Sequence, residues 1–302
     1  MSRSSESKEQ KAQMRQEIII HVMGATGAGK CTFVNYLVPN ERLKSKVGHE
    51  LTSCTSELHP ITLNFPNDPF LQQYKITLVD CPGFDDTYVG DAAILQHIAD
   101  SLAESYRDKN VPGSVIYLHD ISNDRFSGTA RRNLEMFHHM CGISALSKVI
   151  IGTTKWGRTP FEIGTQHDKE LKEVHWRSML DSGTKTMRFE DSYDSALSFI
   201  KQIVRDDMLG ICLMIQREMV DDKKILSETK AGRMLRLQTI QEVLIMERKM
   251  LELEKTMAEG GGDSAAQKAH EETRSNMDAL LLQIQQLHIP FLRKLKRFFR
   301  FL

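Results

Sequence analysis

The chain lacks several features that would place it in other classes of protein. Its 302 residues carry 40 basic and 40 acidic side chains, so the formal net charge is zero and no nucleic-acid partner is indicated. No stretch approaches the ~20 consecutive apolar residues that a membrane-spanning helix needs. The 5 cysteines have no metal-ligand spacing, which suits a reducing interior. Residues 1–16 are polar, so we expect a disordered N-terminus without a signal peptide, and a cytoplasmic protein.

The most informative segment is a glycine-rich loop between an apolar run and a helix-forming run. Residues 24–31 read G-x-x-x-x-G-K-C, which fits the phosphate-binding loop at every fixed position except the last. In such loops, backbone N–H groups and a helix N-terminus face the phosphates, and Lys30 bridges the terminal ones. The sequence therefore predicts a nucleoside-triphosphate fold. We expect the phosphates to contact Gly24, Ala25, Thr26, Gly27, Ala28, Gly29, Lys30, Cys31 and Thr32.

The last position of this loop departs from the pattern. Cys31 stands where a Ser or Thr hydroxyl usually coordinates Mg²⁺, a hard cation that prefers oxygen ligands. A thiol is a soft ligand and a poor substitute. We therefore expect weakened Mg²⁺ coordination and slow hydrolysis, with nucleotide binding retained.

A second apolar run, residues 74–79, ends in Asp80-Cys81-Pro82-Gly83. At the end of a strand, this pattern predicts that Asp80 holds Mg²⁺ through water and that the N–H of Gly83 senses the γ-phosphate. Phe84 follows, where Ras-like proteins place a glutamine that orients water. Thr55, just before the predicted second strand, is the candidate for the residue that closes over metal and γ-phosphate; Thr52 is the alternative.

Base recognition is the least defined part of the site. The apolar run 148–154 is followed by Lys155, Trp156 and Gly157, where a GTPase normally carries Asn/Thr-Lys-x-Asp. We expect Thr154, Lys155 and Trp156 to lie at the base, with Trp156 either stacking on it or capping the strand end. Gly157 replaces the aspartate that binds guanine, so from these residues both GTP/GDP and ATP remain open as ligands.

Residues 17 to about 205 resemble the septin-related GTPases, especially the immunity-associated (GIMAP) and plastid Toc types, and uncharacterised fungal G-domain proteins near them. Cys31 and Cys81 depart from the Ser and Thr usual in this family. The resemblance rests on residues 24–31, on 80–87, on 121–133 with the box Asp124-Arg125-Phe126-Ser127-Gly128, and on 48–57 for the fungal group.

The resemblance implies guanine nucleotide and Mg²⁺ as cofactors, and a homodimer formed through the nucleotide face. In that arrangement one subunit supplies a charge to the other's phosphates. Arg125 is the candidate for this catalytic role beside Lys30 and Thr55, and a salt bridge within the domain is the alternative use of the same side chain.

The alternation of strand-like and helix-like runs predicts an α/β fold with a doubly wound, mostly parallel sheet, the G domain, over 17–207. A long amphipathic helix is expected over 208–259, a glycine-rich hinge over 260–264 and a helical tail over 265–302. The apolar stripe of the long helix must pack on its own domain or on a second chain. Its predicted members are Val243, Met246, Met250, Leu253 and Met257, widened by Ile240, Leu244 and Leu251.

In a helix over the last twelve residues, 291–302, aromatic and leucine side chains fall on one face and basic side chains cover the other. This pattern is typical of a helix on an anionic membrane surface, and a tail docked on the G domain fits it equally well. The leading function is a GTP-binding switch with slow or dimer-dependent hydrolysis. A degenerate nucleotide-binding scaffold and a membrane-associated assembly protein are the alternatives.

Overall fold

A computed structural model describes residues 16–39, 58–84, 90–107, 113–206, 210–258 and 264–290. Its centre is a six-stranded sheet in the order β2-β3-β1-β4-β5-β6, in which only β2 runs antiparallel to its neighbour. The strands are β1 (Gln16–Gly24), β2 (His59–Asn64), β3 (Tyr74–Asp80), β4 (Gly113–Asp120), β5 (Val149–Thr154) and β6 (Lys185–Arg188). The predicted doubly wound, mostly parallel sheet is confirmed.

Helices cover both faces of the sheet, as parallel connections require. They are α1 (Lys30–Leu37), α2 (Asp91–Arg107), α3 (Gly128–Cys141), α4 (Phe161–Glu170), α5 (Arg177–Asp181), α6 (Tyr193–Arg205), α7 (Met214–Gln216), α8 (Lys230–Thr256) and α9 (Ser264–Gln286). A π-helical turn, Leu171–His175, separates α4 from α5. The buried Trp176 lies at this break.

Each face of the sheet has its own apolar core. On the face covered by α1 and α6, Phe33 lies edge-on to both Phe189 and Phe199, with ring centroids 5.2 Å apart in each pair. On the other face, side chains of α2 and α3 form a larger cluster that also takes in Leu235 from α8 and Leu287 from the end of α9. The C-terminal helices are therefore part of the main core.

The continuous helix predicted over 208–259 is wrong in its first part. A short helical segment, α7 with the π-helical turn Arg217–Asp221, ends before Lys223, which has a left-handed φ of 53°. The Thr229 hydroxyl then accepts a hydrogen bond from the N–H of Gly232 at 3.0 Å, and so caps a new helix that begins at Lys230. The start of α8 is set by the cap at Thr229 and the strong helix formers after it, and composition alone did not reveal this boundary.

The predicted apolar stripe of α8 is half-buried along its length, and α8 makes its most extensive contacts with α9. Its outer members Leu244 and Leu251 remain exposed. Most of the predicted hinge, residues 260–263, lies outside the described part of the chain, as do the N-terminus up to residue 15 and the basic tail 291–302. Among the described helices, none is long and apolar enough to cross a membrane.

Candidate functional site

The glycine-rich loop lies at the carboxyl end of β1 and leads directly into α1. Gly24 has a φ of 145°, and a Cβ there would lie 2.3 Å from the carbonyl oxygen of Leu118, so a side chain has no room. Gly29 has a left-handed φ of 87° and forms the N-cap of α1. The first-turn amides of α1 have no intrahelical acceptors and, with the helix dipole, favour an anion at this point. The loop thus has the shape that phosphate binding requires.

The ammonium group of Lys30 is hydrogen-bonded to the backbone of the glycine-rich loop. The side chain is buried, and Nζ donates hydrogen bonds to the carbonyl oxygens of Gly24 at 3.1 Å and Ala25 at 2.9 Å. These bonds fix the cation beside the first turn of α1. A buried positive charge at a helix N-terminus is suited to the terminal phosphates of a nucleotide.

Thr154 lies behind the loop. Its hydroxyl oxygen is 2.9 Å from the carbonyl oxygen of Ala28 and 3.2 Å from that of His119. A Cβ added to Gly29 would also come within 3.5 Å of Thr154. The residue therefore ties the end of β5 to the loop that follows β1, and a direct contact with nucleotide stays a prediction.

Asp80, at the end of β3, is a fully buried carboxylate beside the loop. Neither of its oxygens has a hydrogen-bond partner of ordinary geometry among the described residues. Burial raises the pKa of Asp80, against the opposing effects of the Cys31 thiol beside it and of the Lys30 ammonium. An orphaned buried acid of this kind is suited to a cation or to ordered water.

The segment after Asp80 packs directly on the phosphate loop. The N–H of Thr26 donates to the carbonyl oxygen of Phe84 at 3.1 Å, and its hydroxyl donates to the carbonyl oxygen of Gly83 at 3.2 Å. A Cβ on Gly83 would lie 2.5 Å from the backbone nitrogen of Thr26, so only glycine allows this approach. The Phe84 side chain is buried in the core cluster. The residue at the position where Ras-like proteins carry a water-orienting glutamine is therefore buried in the core.

The predicted base-binding residues are held by partners that the motif did not identify. Lys155, with a left-handed φ of 61°, pairs its Nζ with Asp120 Oδ2 at 2.5 Å. The Trp156 indole N–H donates to the Thr153 hydroxyl at 3.0 Å, and the Arg188 guanidinium lies 4.0 Å from the centroid of its ring. The only sequence signal for Asp120 and Arg188 was their place at the carboxyl ends of β4 and β6. Gly157 is exposed, with open space around it.

Arg125 is exposed and forms no ion pair with any described residue. It lines a cavity of about 320 Å³ beside the Lys155–Asp120 pair, together with Phe126 and three histidines. Burial lowers the pKa of one of these, His119, to about 4, so its imidazole is neutral at pH 7. The cavity and the phosphate loop share one edge of the sheet, because β1 and β4 run parallel.

One donor at the loop departs from the oxygen ligands that Mg²⁺ prefers. Asp80 is suited to a cation, but Cys31 offers sulfur where a hard cation requires oxygen. Within the described ranges, no three His, Cys, Asp or Glu side chains converge on a point where they could hold a metal. Further donors would come from nucleotide, from water or from residues outside the described ranges, which include 40–57. The candidate Thr55 and its alternative Thr52 fall in that segment, outside the described residues.

Known proteins resemble part of this chain. Residues 19–154 match the family described as 50S ribosome-binding GTPase. No curated protein matches the sequence. Solved structures with similar folds include Toc33 from Arabidopsis thaliana in a dimerization-deficient mutant (14% identity, 66% of this chain and 86% of that chain, TM-score 0.49). Another is Toc33 from Arabidopsis thaliana with Mg²⁺ and GMPPNP (16% identity, 66% of this chain and 87% of that chain, TM-score 0.47). A third is the G domain of T. maritima FeoB (16% identity, 63% of this chain and 98% of that chain, TM-score 0.36). Residues 19–154 thus match a P-loop GTPase family, and the mostly parallel six-stranded sheet with flanking helices has the fold of a G domain.

Proposed function

We propose that this chain is a guanine-nucleotide switch that hydrolyses GTP slowly as a monomer and faster when two copies pair through their nucleotide faces. The observation that carries the proposal is the direct packing of Gly83 on the phosphate loop, next to the buried Lys30 and Asp80. A backbone segment in contact with the loop is positioned to respond to a γ-phosphate. Loss of that phosphate would therefore change its contacts.

Slow turnover by the monomer follows from the environment of Phe84. Its buried side chain has no proton acceptor and cannot orient an attacking water. The described part of the chain offers no other group at that position. Negative charge develops on the phosphoryl oxygens in the transition state, and a cation supplied by a second subunit would stabilise it.

Arg125 is the candidate for that cation. It lies in the loop after β4, on the edge of the sheet that carries the phosphate loop, and it is free of ion pairs with described residues. In a face-to-face dimer, its guanidinium donates to the partner's phosphate oxygens as negative charge develops. Septin-related GTPases, which this chain resembles in sequence, pair in this manner.

The test is the dependence of GTP turnover per subunit on protein concentration. We expect turnover to rise with concentration in the wild type. An arginine supplied across an interface is worth about 10³–10⁵ in kcat where it is fully used, so Arg125→Ala should reduce the rise at least ~10-fold. Nucleotide affinity should not change. Arg274→Ala, an exposed arginine on α9, is the matched control. Turnover that does not depend on concentration in the wild type would rule the dimeric mechanism out.

Guanine selectivity is the finer part of the proposal. Gly157 offers no carboxylate to the base, so discrimination must come from backbone groups, from Lys155 or from Trp156. We expect GTP to be preferred over ATP by less than in GTPases that carry the aspartate. Displacement of a fluorescent GDP analogue by GTP, ATP and their diphosphates measures this ratio. Gly157→Asp should increase it, since the site is open enough to accept the side chain.

A catalytically degenerate scaffold is the second candidate, favoured by the buried Phe84 and the sulfur of Cys31. It predicts nucleotide binding with no turnover at any protein concentration. Nucleotide extracted from the purified chain would then be triphosphate rather than diphosphate. The same extraction identifies the base.

We also propose that the protein is cytoplasmic and that residues 291–302 hold it on anionic membranes. The test compares liposome co-sedimentation of the full chain with that of a chain ending at Pro290. This end point retains Leu287, which is buried in the main core. Equal sedimentation of the two chains on phosphatidylserine vesicles would contradict the proposal.

A further inference from the structure

The phosphate loop has an unusual pair of potential metal ligands. Cys31 lies in the first turn of α1, at the position that normally supplies a hydroxyl to Mg²⁺. Asp80 faces it from the end of β3, with its carboxylate fully buried and both oxygens lacking a partner of ordinary geometry. The two side chains are close enough for the thiol to lower the pKa of the acid. A sulfur donor and an orphaned carboxylate therefore lie side by side at the phosphate loop.

We propose that this site binds a thiophilic divalent cation, of the Zn²⁺ or Co²⁺ class, together with the nucleotide and in preference to Mg²⁺. The proposal rests on the proposed nucleotide function, because two protein donors alone do not make a metal site. The phosphates of a bound triphosphate supply the oxygen ligands that complete it. Four donors of mixed sulfur and oxygen type suit Zn²⁺ and Co²⁺, whereas Mg²⁺ demands six oxygens.

The chemistry at Cys31 is a simple exchange. The S–H bond is broken, the proton passes to solvent, and the thiolate forms a bond to the cation. The cation offsets the negative charge that the thiolate would otherwise place beside Asp80. No change of oxidation state is involved.

The fully buried Cys81 is a poor alternative ligand. Burial and the negative charge of Asp80 raise the pKa of its thiol, so it remains protonated. Cys141 is likewise buried, with its pKa raised by burial. Cys31 and Cys212 are the partly exposed cysteines within the described part of the chain, and Cys212 lies beside Tyr106, away from the loop. The two partly exposed thiols therefore provide a test position and a control position.

The experiment uses the full chain, freed of nucleotide and metal, and titrates Co²⁺ with and without a non-hydrolysable GTP analogue. We expect a thiolate-to-Co²⁺ charge-transfer band in the near ultraviolet only when nucleotide is present. The band should be lost in Cys31→Ser and kept in Cys212→Ser. The apparent affinity for the analogue should be higher with Co²⁺ than with Mg²⁺, and Cys31→Ser should reverse that order.

A band that survives Cys31→Ser, or its absence from wild-type protein that has bound the analogue, would overturn the proposal. If the analogue fails to bind with any metal or without one, the proposed nucleotide function fails instead. The two failures are thus distinguishable. Melting temperatures of the serine variants check that the fold is intact. Cys31→Ala leaves no metal ligand at that position, so it should weaken binding of the analogue with both Co²⁺ and Mg²⁺.

Discussion

Replacing Leu287 by alanine tests whether the C-terminal helices are integral to the G domain. Leu287 directly follows α9, is 1% exposed and lies in the core cluster shared with α2, α3 and α8. Leucine-to-alanine changes at such sites cost ~2.7–5.0 kcal/mol of unfolding free energy, since they remove buried methyl groups and leave a cavity. With an unfolding entropy of about 2.1 cal/mol/K per residue, a chain of this length has ~0.6 kcal/mol/K in total. A loss of about 3 kcal/mol therefore lowers the Tm by ~5 °C.

The assay is calorimetric or circular-dichroism melting of the full chain, with urea unfolding to obtain the free energy directly. Leu282→Ala is the matched control, because Leu282 lies near the end of α9, five residues before Leu287, and is 57% exposed. We expect the control to change stability by less than ~0.5 kcal/mol. If the two variants melted together, or if the Leu287 variant lost only a separate low-temperature transition, the helices would not share the main core.

Three further predictions concern the site and its surroundings. Lys30→Ala should abolish triphosphate binding, since the loop loses its buried cation, whereas wild-type affinity in a fluorescent-nucleotide titration would contradict the phosphate-loop interpretation. Thr154→Val keeps the side-chain shape but removes the hydroxyl that donates to the Ala28 carbonyl. The lost hydrogen bond is worth ~1–1.5 kcal/mol, so nucleotide binding should weaken by about tenfold. An unchanged Kd would show that the loop keeps its shape without this hydrogen bond. Burial lowers the pKa of His21 from 6.5 to about 4, so stability is full above pH 6.5 and is lost as the pH falls toward 4. At pH 5 this histidine alone should cost ~2 kcal/mol in urea unfolding, and a slope that His21→Gln does not reduce would refute the assignment.

The sequence predicted the alternation of strands and helices and the glycine-rich loop, because apolar spacing and glycine position are local properties of the chain. Residues 24–31 and 80–83 each specify their own backbone conformation through glycine, proline and the adjoining apolar runs. Parallel strands bring their carboxyl ends to one edge of the sheet, so the phosphate loop, Asp80 and Lys155 are expected at the same edge from the sequence alone. The apolar stripe on α8 was predicted for the same reason, since helical spacing alone reveals it.

Contacts between residues far apart in the chain were decided by the tertiary structure. No spacing rule links Lys155 to Asp120, or Trp156 to Arg188; these pairs form because β4, β5 and β6 lie side by side. The burial of Phe84 and the exposure of Arg125 likewise depend on which surfaces α2, α3 and the C-terminal helices cover.

The boundary near Lys230 illustrates the same division. Composition predicts helix on both sides of it, and the break is set by a buried cap: Glu218 accepts the N–H of Lys230 at 3.0 Å while Thr229 caps the next turn. Sequence by itself thus determined the phosphate loop, the sheet and the departure at Cys31. Only the packed structure decided which side chains reach that loop, because burial and long-range pairing are properties of the whole fold rather than of any segment.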